Sequence, residues 1–175
     1  MLEIETKKRG AELTSIKFND VERLHEVNSF WNEQSPILFP VVGKLKYGYT
    51  LINGQEYKIP FHGFAHLMDF EEIDKHSYKL SANEETLKLY PYEFDLYVFY
   101  TISKNVLSFN YKVVNKSKTE KMLFGVGATR VLNVIIKMKN ALLNSKKKKK
   151  MMQKLFQWIL MFVCFRINLR RGMMY

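Results

Sequence analysis

The side chains of this 175-residue sequence that could move a proton or hold a metal ion, 17 Asp and Glu, four His and one Cys, show little of the spacing that such chemistry needs. The four histidines, His25, His62, His66 and His76, lack the short paired spacings of a zinc site. Cys164 stands alone, so it can form neither an internal disulfide nor a metal cluster, and no structural metal is expected. Glu71 and Glu72, and likewise Glu84 and Glu85, are consecutive. On strands such neighbours point to opposite faces, so they read as solvated acids rather than as an acid–base pair. Gly125-Val126-Gly127 lacks the third glycine and the strand-turn-helix setting of a dinucleotide loop, and reads as strand glycines. Taken alone, His62 in the run IPFHGF reads as a turn or half-buried histidine. Lys44, which follows Val42-Gly43, reads as a solvated surface lysine.

The elements that must position these groups are strands. Residues 12–18 alternate like a strand after the break at Gly10, which suggests a first strand pair. Asn53-Gly54 sits between two short β-prone runs and suits the two positive φ values of a type I′ hairpin turn. Residues 69–75 and 77–82 alternate as strands, and Asn83 then caps a brief helical turn that Pro91 closes. Residues 94–102 and 106–114 are rich in aromatic and β-branched side chains and flank Ser103-Lys104-Asn105, which predicts a hairpin of two long strands. The aromatic residues of 90–111 read as core. A polar turn over 115–120 and one more strand over 122–127 complete the series. No sustained 3.6-residue period is present and turn signals recur about every ten residues, so the class is all-β, a sandwich or barrel.

Charge divides the chain. Its net charge of +11 resembles a nucleic-acid or membrane signature, yet residues 1–128 hold 16 Lys and Arg against 17 Asp and Glu, while residues 129–175 hold 12 Lys and Arg and no acid. The second segment also lacks His and Pro. Within it residues 131–144 are dense enough in apolar side chains for a helix, but Lys146 to Lys150 repel one another. The apolar run from Leu155 to Phe165 falls short of the roughly 20 residues that span a bilayer. The first ten residues carry Glu3 and Glu5 and no apolar h-region, which predicts a cytoplasmic protein.

Several runs in residues 1–128 carry a resemblance. They are Gly10-Ala11-Glu12-Leu13-Thr14-Ser15-Ile16, Trp31 followed by SPILFPVVGKLK, IPFHGF, ANEETLKLYPYEF from Ala82 to Phe94, and FGVGA from Phe124 to Ala128. In this order they resemble the aldose 1-epimerase family, in its bacterial branch of proteins similar to galactose mutarotase. The resemblance implies a large antiparallel β-sandwich, a hexose bound in a groove across the sheet, and interconversion of its α and β anomers without a cofactor. In the family a Glu takes the proton of the C1 hydroxyl while a His protonates the ring oxygen, and an Arg and a second His hold the sugar. His62 matches that sugar-binding His. Lys44 stands where the Arg is common, keeping the charge and losing the planar fork. His66 occupies a position more often held by Arg.

The pattern departs at Thr129, where the family continues with His-Pro-Ala-Phe-Asn and its acid His. The general-base Glu lies much further on in the family, and residues 129–175 contain no Glu. Loss of resemblance and loss of every acid coincide, as a change of reading frame in an A/T-rich gene would produce. The expectation is therefore the N-terminal part of a sandwich over 1–128 and an out-of-frame basic tail over 129–175, with a hexose as ligand. No nucleic-acid or membrane partner is expected, and unpaired strand edges favour self-association. Two alternatives remain open, a non-catalytic sugar-binding protein and a sugar-binding domain whose basic tail docks on membrane or nucleic acid.

Overall fold

The computed structural model describes residues 1–24, 27 and 32–129. His25, Trp31 and the segment from Arg130 onward, with the expected helix, the lysine run and Cys164, lie outside the described residues.

Strands β1 (Leu2–Thr6) and β2 (Leu13–Phe18) pair antiparallel with Ile4 opposite Ile16, and β3 (Val21–Glu22) adds a third strand beside β2. Glu22 locks this corner. Its carboxylate accepts hydrogen bonds from the Ser15 hydroxyl and from the amides of Ile16, Arg23 and Leu24. Burial alone pushes that carboxyl up, but the four bonds outweigh it and hold it below the ordinary Glu range.

The chain then forms β4 (Ile37–Leu38), β5 (Thr50–Ile52), β6 (Gln55–Tyr57), a single 3₁₀ turn (Ala65–Leu67), β7 (Glu71–Asp74) and β8 (Ser77–Ser81). Asn53 (φ 50) and Gly54 (φ 81) both take the positive φ that the β5–β6 turn requires. Helix α1 (Glu84–Leu89) starts at Asn83, whose side chain accepts from the Glu85 and Thr86 amides at 3.0 Å while Thr86 Oγ1 accepts from the Asn83 amide at 2.9 Å. Glu84 and Glu85 therefore lie in the first turn of a helix, where their charge suits the exposed amides, and not on a strand.

The long hairpin of β9 (Phe94–Ser103) and β10 (Val106–Asn115) pairs in register over ten residues, with Lys104 (φ 55) in its turn. The four-stranded sheet has the order β10-β9-β8-β7, so the outer edge of β10 has no strand beside it among the described residues. Strand β11 (Gly127–Ala128) pairs with β4. The strand expected over 122–127 is thus reduced to its end. Residues 36–42 opposite it include Pro36 and Pro40, which have no N–H to donate, and a continuous ladder cannot form. What remains is Gly125 N–H to Pro40 O at 2.7 Å and the two pairs of β11.

Alternation on β9 sends Phe94, Leu96, Val98 and Tyr100 inward, where they meet Tyr78 and Leu80 of β8 and Ile4, Leu13 and Ile16 of the first sheet in one core. Phe39, fully buried just after β4, is the hub of this core. Its ring lies 4.9 Å from Phe94, 5.9 Å from Phe124, 6.1 Å from Tyr90 and 6.2 Å from Phe64. The inward aromatics are core as the sequence suggests. On the opposite face of β9, Tyr97 and Phe99 stack at 6.0 Å, with Lys79 and Lys112 over the Tyr97 ring.

Candidate functional site

The segment Ile59 to Phe64 is fastened to the hub. Phe39 O accepts the amides of Phe64 at 2.9 Å and Ala65 at 3.2 Å, and Phe39 forms a parallel bridge with Gly63. The approach is too close for any side chain at Gly63, since a Cβ there would lie 2.1 Å from Phe39 O. Gly63 also has φ +77, and His62 before it has φ +65, so two consecutive left-handed residues turn the chain. This corner puts the imidazole against the loop that carries Lys44.

His62 and Gly43 are joined twice. The His62 amide donates to Gly43 O at 2.9 Å, and the Gly43 amide donates to His62 Nδ1 at 3.0 Å. An amide N–H can only donate, so Nδ1 carries no proton and the ring proton sits on Nε2. Nε2 is neither enclosed nor hydrogen-bonded among the described residues. Burial, and after it the nearby His66, holds the imidazole pKa below its ordinary value, so His62 is neutral at pH 7. The ring of Phe61 lies 3.8 Å from that of His62, and Phe61 is itself largely exposed. The corner can thus present one neutral N–H donor beside an aromatic face, which suits a sugar hydroxyl or ring oxygen.

Lys44 follows Gly43 directly and is exposed, so the two residues marked in the sequence meet at one backbone junction. His66 sits on the 3₁₀ turn with its imidazole mostly buried, Nε2 3.9 Å from a Glu33 oxygen and Nδ1 without a hydrogen-bond partner. Its carbonyl faces Gly10, where a Cβ would come within 2.9 Å. His76 is elsewhere, in the β7–β8 turn, where Nδ1 meets the Thr6 hydroxyl at 2.9 Å. Thr129 lies just past β11, its amide 3.3 Å from Pro36 O. Strand β4 therefore lies between the two positions marked in the sequence, with Thr129 beside its start and Gly63, next to His62, beside Phe39 at its end. Among the described residues no three His, Cys, Asp or Glu side chains converge as a metal site would need.

The sequence marks His62 and Lys44 as expected sugar contacts, and gives no sign of the Gly43 bond to the His62 ring or of Glu33 beside His66. A cavity of about 400 Å³ lies alongside, under β5, and is lined by apolar groups such as Val42, Leu45, Ile59, Tyr92 and Phe124. Neither His62 nor Lys44 lines it. Tyr90 at its wall donates its hydroxyl to Leu123 O at 2.8 Å, and burial, with Tyr92 nearby, raises that phenol far above its ordinary range.

The comparisons with known proteins agree with this architecture. The family model for aldose 1-epimerase matches residues 1–151, a range that continues past Ala128. The plasmid-encoded LacX protein of Lactococcus lactis subsp. lactis is 33% identical over 145 residues, covering 75% of this chain and 48% of LacX. A galactose mutarotase related enzyme from Lactobacillus acidophilus superposes with a TM-score of 0.73 at 36% identity, over 81% of this chain and 49% of that one. A galactose mutarotase-like protein from Lactobacillus casei gives 0.72 at 31% identity, over 78% and 48%. The fold is therefore galactose-mutarotase-like and all-β. The chain belongs to the aldose 1-epimerase family, and it spans about half the length of the relatives it matches. No helix among the described residues is long and apolar enough to cross a membrane.

Proposed function

We propose that this chain is the N-terminal, sugar-binding part of an aldose 1-epimerase. In this reading it holds a hexose through His62 and Lys44 and does not interconvert the anomers at a useful rate. What supports the second half is the resemblance over residues 1–128, which sets Thr129 at the position of the family's acid His. A threonine hydroxyl does not titrate near neutral pH and cannot replace an imidazole as general acid. The neutral Nε2 donor of His62 supports the first half, since it can meet a lone pair of a sugar oxygen with no change of protonation. Lys44 supplies a mobile charge in place of a planar fork, so its hold on a pair of hydroxyls is less directional. Cytoplasmic residence without nucleic-acid or membrane partners is part of the same reading.

Residues 129–175 enter as an out-of-frame segment, supported by the loss of every acid at the point where Thr129 replaces His. Because the family match continues to residue 151, the coding DNA is the decisive check. If neither alternative frame after codon 128 encodes a His-Pro-Ala-Phe-Asn-like run followed by ordinary Asp and Glu content, this part is wrong. The open outer edge of β10 supports self-association in the same proposal.

Function itself is tested by polarimetry on purified protein with freshly dissolved α-D-galactose or α-D-glucose. No rate above buffer is expected, and a clear rate would refute the assignment of the missing acid and base. Calorimetry with the same sugars should show saturable binding that is lost in His62→Ala.

A further inference from the structure

We infer that Gly43 is a positioning residue for His62: its amide, presented by a left-handed backbone, fixes the imidazole in the Nε2–H form and aims a single neutral donor out of the corner. As a statement about ligand binding this rests on the proposed sugar site, while the tautomer itself is independent of that reading.

Three observations carry it. The hydrogen bond from the Gly43 amide to Nδ1 is 3.0 Å long and is matched by the return bond from the His62 amide to Gly43 O at 2.9 Å, so the two residues hold each other in one orientation. Gly43 has φ +91, and no heavy atom lies within 4 Å of where a Cβ would sit. Space alone would admit a side chain there, and only the backbone conformation calls for glycine. The other side of the imidazole is backed by Phe61 at 3.8 Å, and His62 is pinned at φ +65 by the bridge of Gly63 to Phe39. A free imidazole samples both tautomers and many ring angles. This one is left a single form, whose exposed nitrogen can donate to a hydroxyl or ring oxygen and cannot accept from one. The ligand chemistry selected is a lone-pair oxygen facing His62.

The test uses the full-length protein labelled with ¹⁵N and long-range ¹H–¹⁵N correlation of the imidazoles at pH 7.5. His62 is assigned by its loss in His62→Gln. The expected spectrum has Nδ1 in the unprotonated range and Nε2 in the protonated range. On lowering the pH, the Gly43 amide proton should move as His62 takes up its second proton, because that proton displaces the bond. In Gly43→Ala the Nδ1 and Nε2 signals should move toward the mixed values of a free imidazole, and D-galactose should bind about tenfold more weakly, the scale of one oriented hydrogen bond. Gly54→Ala carries the same left-handed cost in the β5–β6 turn and should leave His62 unchanged. A protonated Nδ1 in the wild-type protein, or a Gly43 amide indifferent to His62 titration, overturns the inference. If the wild-type protein ignores galactose while the tautomer is as stated, the proposed sugar site fails and the positioning by Gly43 stands.

Discussion

Replacing Gly63 with alanine should be among the most damaging single substitutions available in this chain. A Cβ at this position would lie 2.1 Å from Phe39 O, 2.3 Å from Phe39 C and 2.8 Å from Pro40 N. All three atoms are backbone, so no rotamer change relieves the contact, and the two segments must separate by about 1 Å to reach an ordinary carbon–oxygen distance. That separation weakens the two bonds that Phe39 O accepts from the Phe64 and Ala65 amides, at about 1 kcal/mol each. The left-handed φ of +77 adds about 1–2 kcal/mol for any L-residue with a Cβ. Because Phe39 is the hub of the aromatic core, the strain cannot be relaxed without loosening its contacts with Phe94 and Tyr90. A loss of about 4 kcal/mol is expected, which is a large share of the stability of a typical domain. Gly54→Ala is the control, since it has φ +81 with nothing near the added carbon and should cost only about 1 kcal/mol. Urea unfolding followed by fluorescence measures both. If the two variants unfold at the same midpoint, the closeness of Gly63 to Phe39 is not what holds the corner.

Other substitutions give smaller and separate effects. Asn83→Ala removes the acceptor for two amides at the start of α1 and should cost about 1 kcal/mol in urea unfolding, whereas Asn83→Ser should restore most of it. Tyr100→Phe deletes the buried hydroxyl that donates to Ala11 O at 2.7 Å and should cost about 1–2 kcal/mol; an unchanged midpoint would mean that this bond contributes nothing net. Stability should also fall on acidification. Burial first, and then His66 for His62 and Lys75 for His76, hold both imidazoles below the ordinary value of 6.5. The unfolded chain then binds these protons more readily than the folded one. Their contribution is fully present above about pH 6.5 and is lost as the pH falls through the lowered folded values. The urea midpoint should therefore drop between pH 7.5 and 5.5, less steeply in His76→Gln than in the wild type, and parallel slopes would contradict the assignment.

Where a feature depends on a few adjacent residues, the sequence makes it legible. Asn53-Gly54 sets a turn by its own φ preferences, Asn83 caps a helix within three residues, and the alternation of 94–102 and 106–114 shows two strands before any partner is known. Legibility ends where the cause is distant. Strand β4 is two residues long and exists because Gly127 and Ala128 lie against it, some ninety positions later. The failure of residues 122–126 to form a ladder depends on prolines at 36 and 40, which no local window contains. The candidate site follows the same division. The runs around His62 and Lys44 mark them as expected sugar contacts, but the bond between Gly43 and the His62 ring joins positions 19 apart and leaves no periodic trace.

The two flanks of β4 also differ in when they can be made. Phe39 meets Gly63 across 24 positions, whereas Ile37 meets Ala128 across 91. Loop closure favours the shorter separation, and synthesis delivers it first, so the corner that holds His62 can assemble while most of the chain is still being made. The flank at Thr129 must wait for the last described strand. Until β11 arrives, one side of β4 and the Phe39 hub beneath it stay open, and during that interval the nascent chain most needs protection from its neighbours.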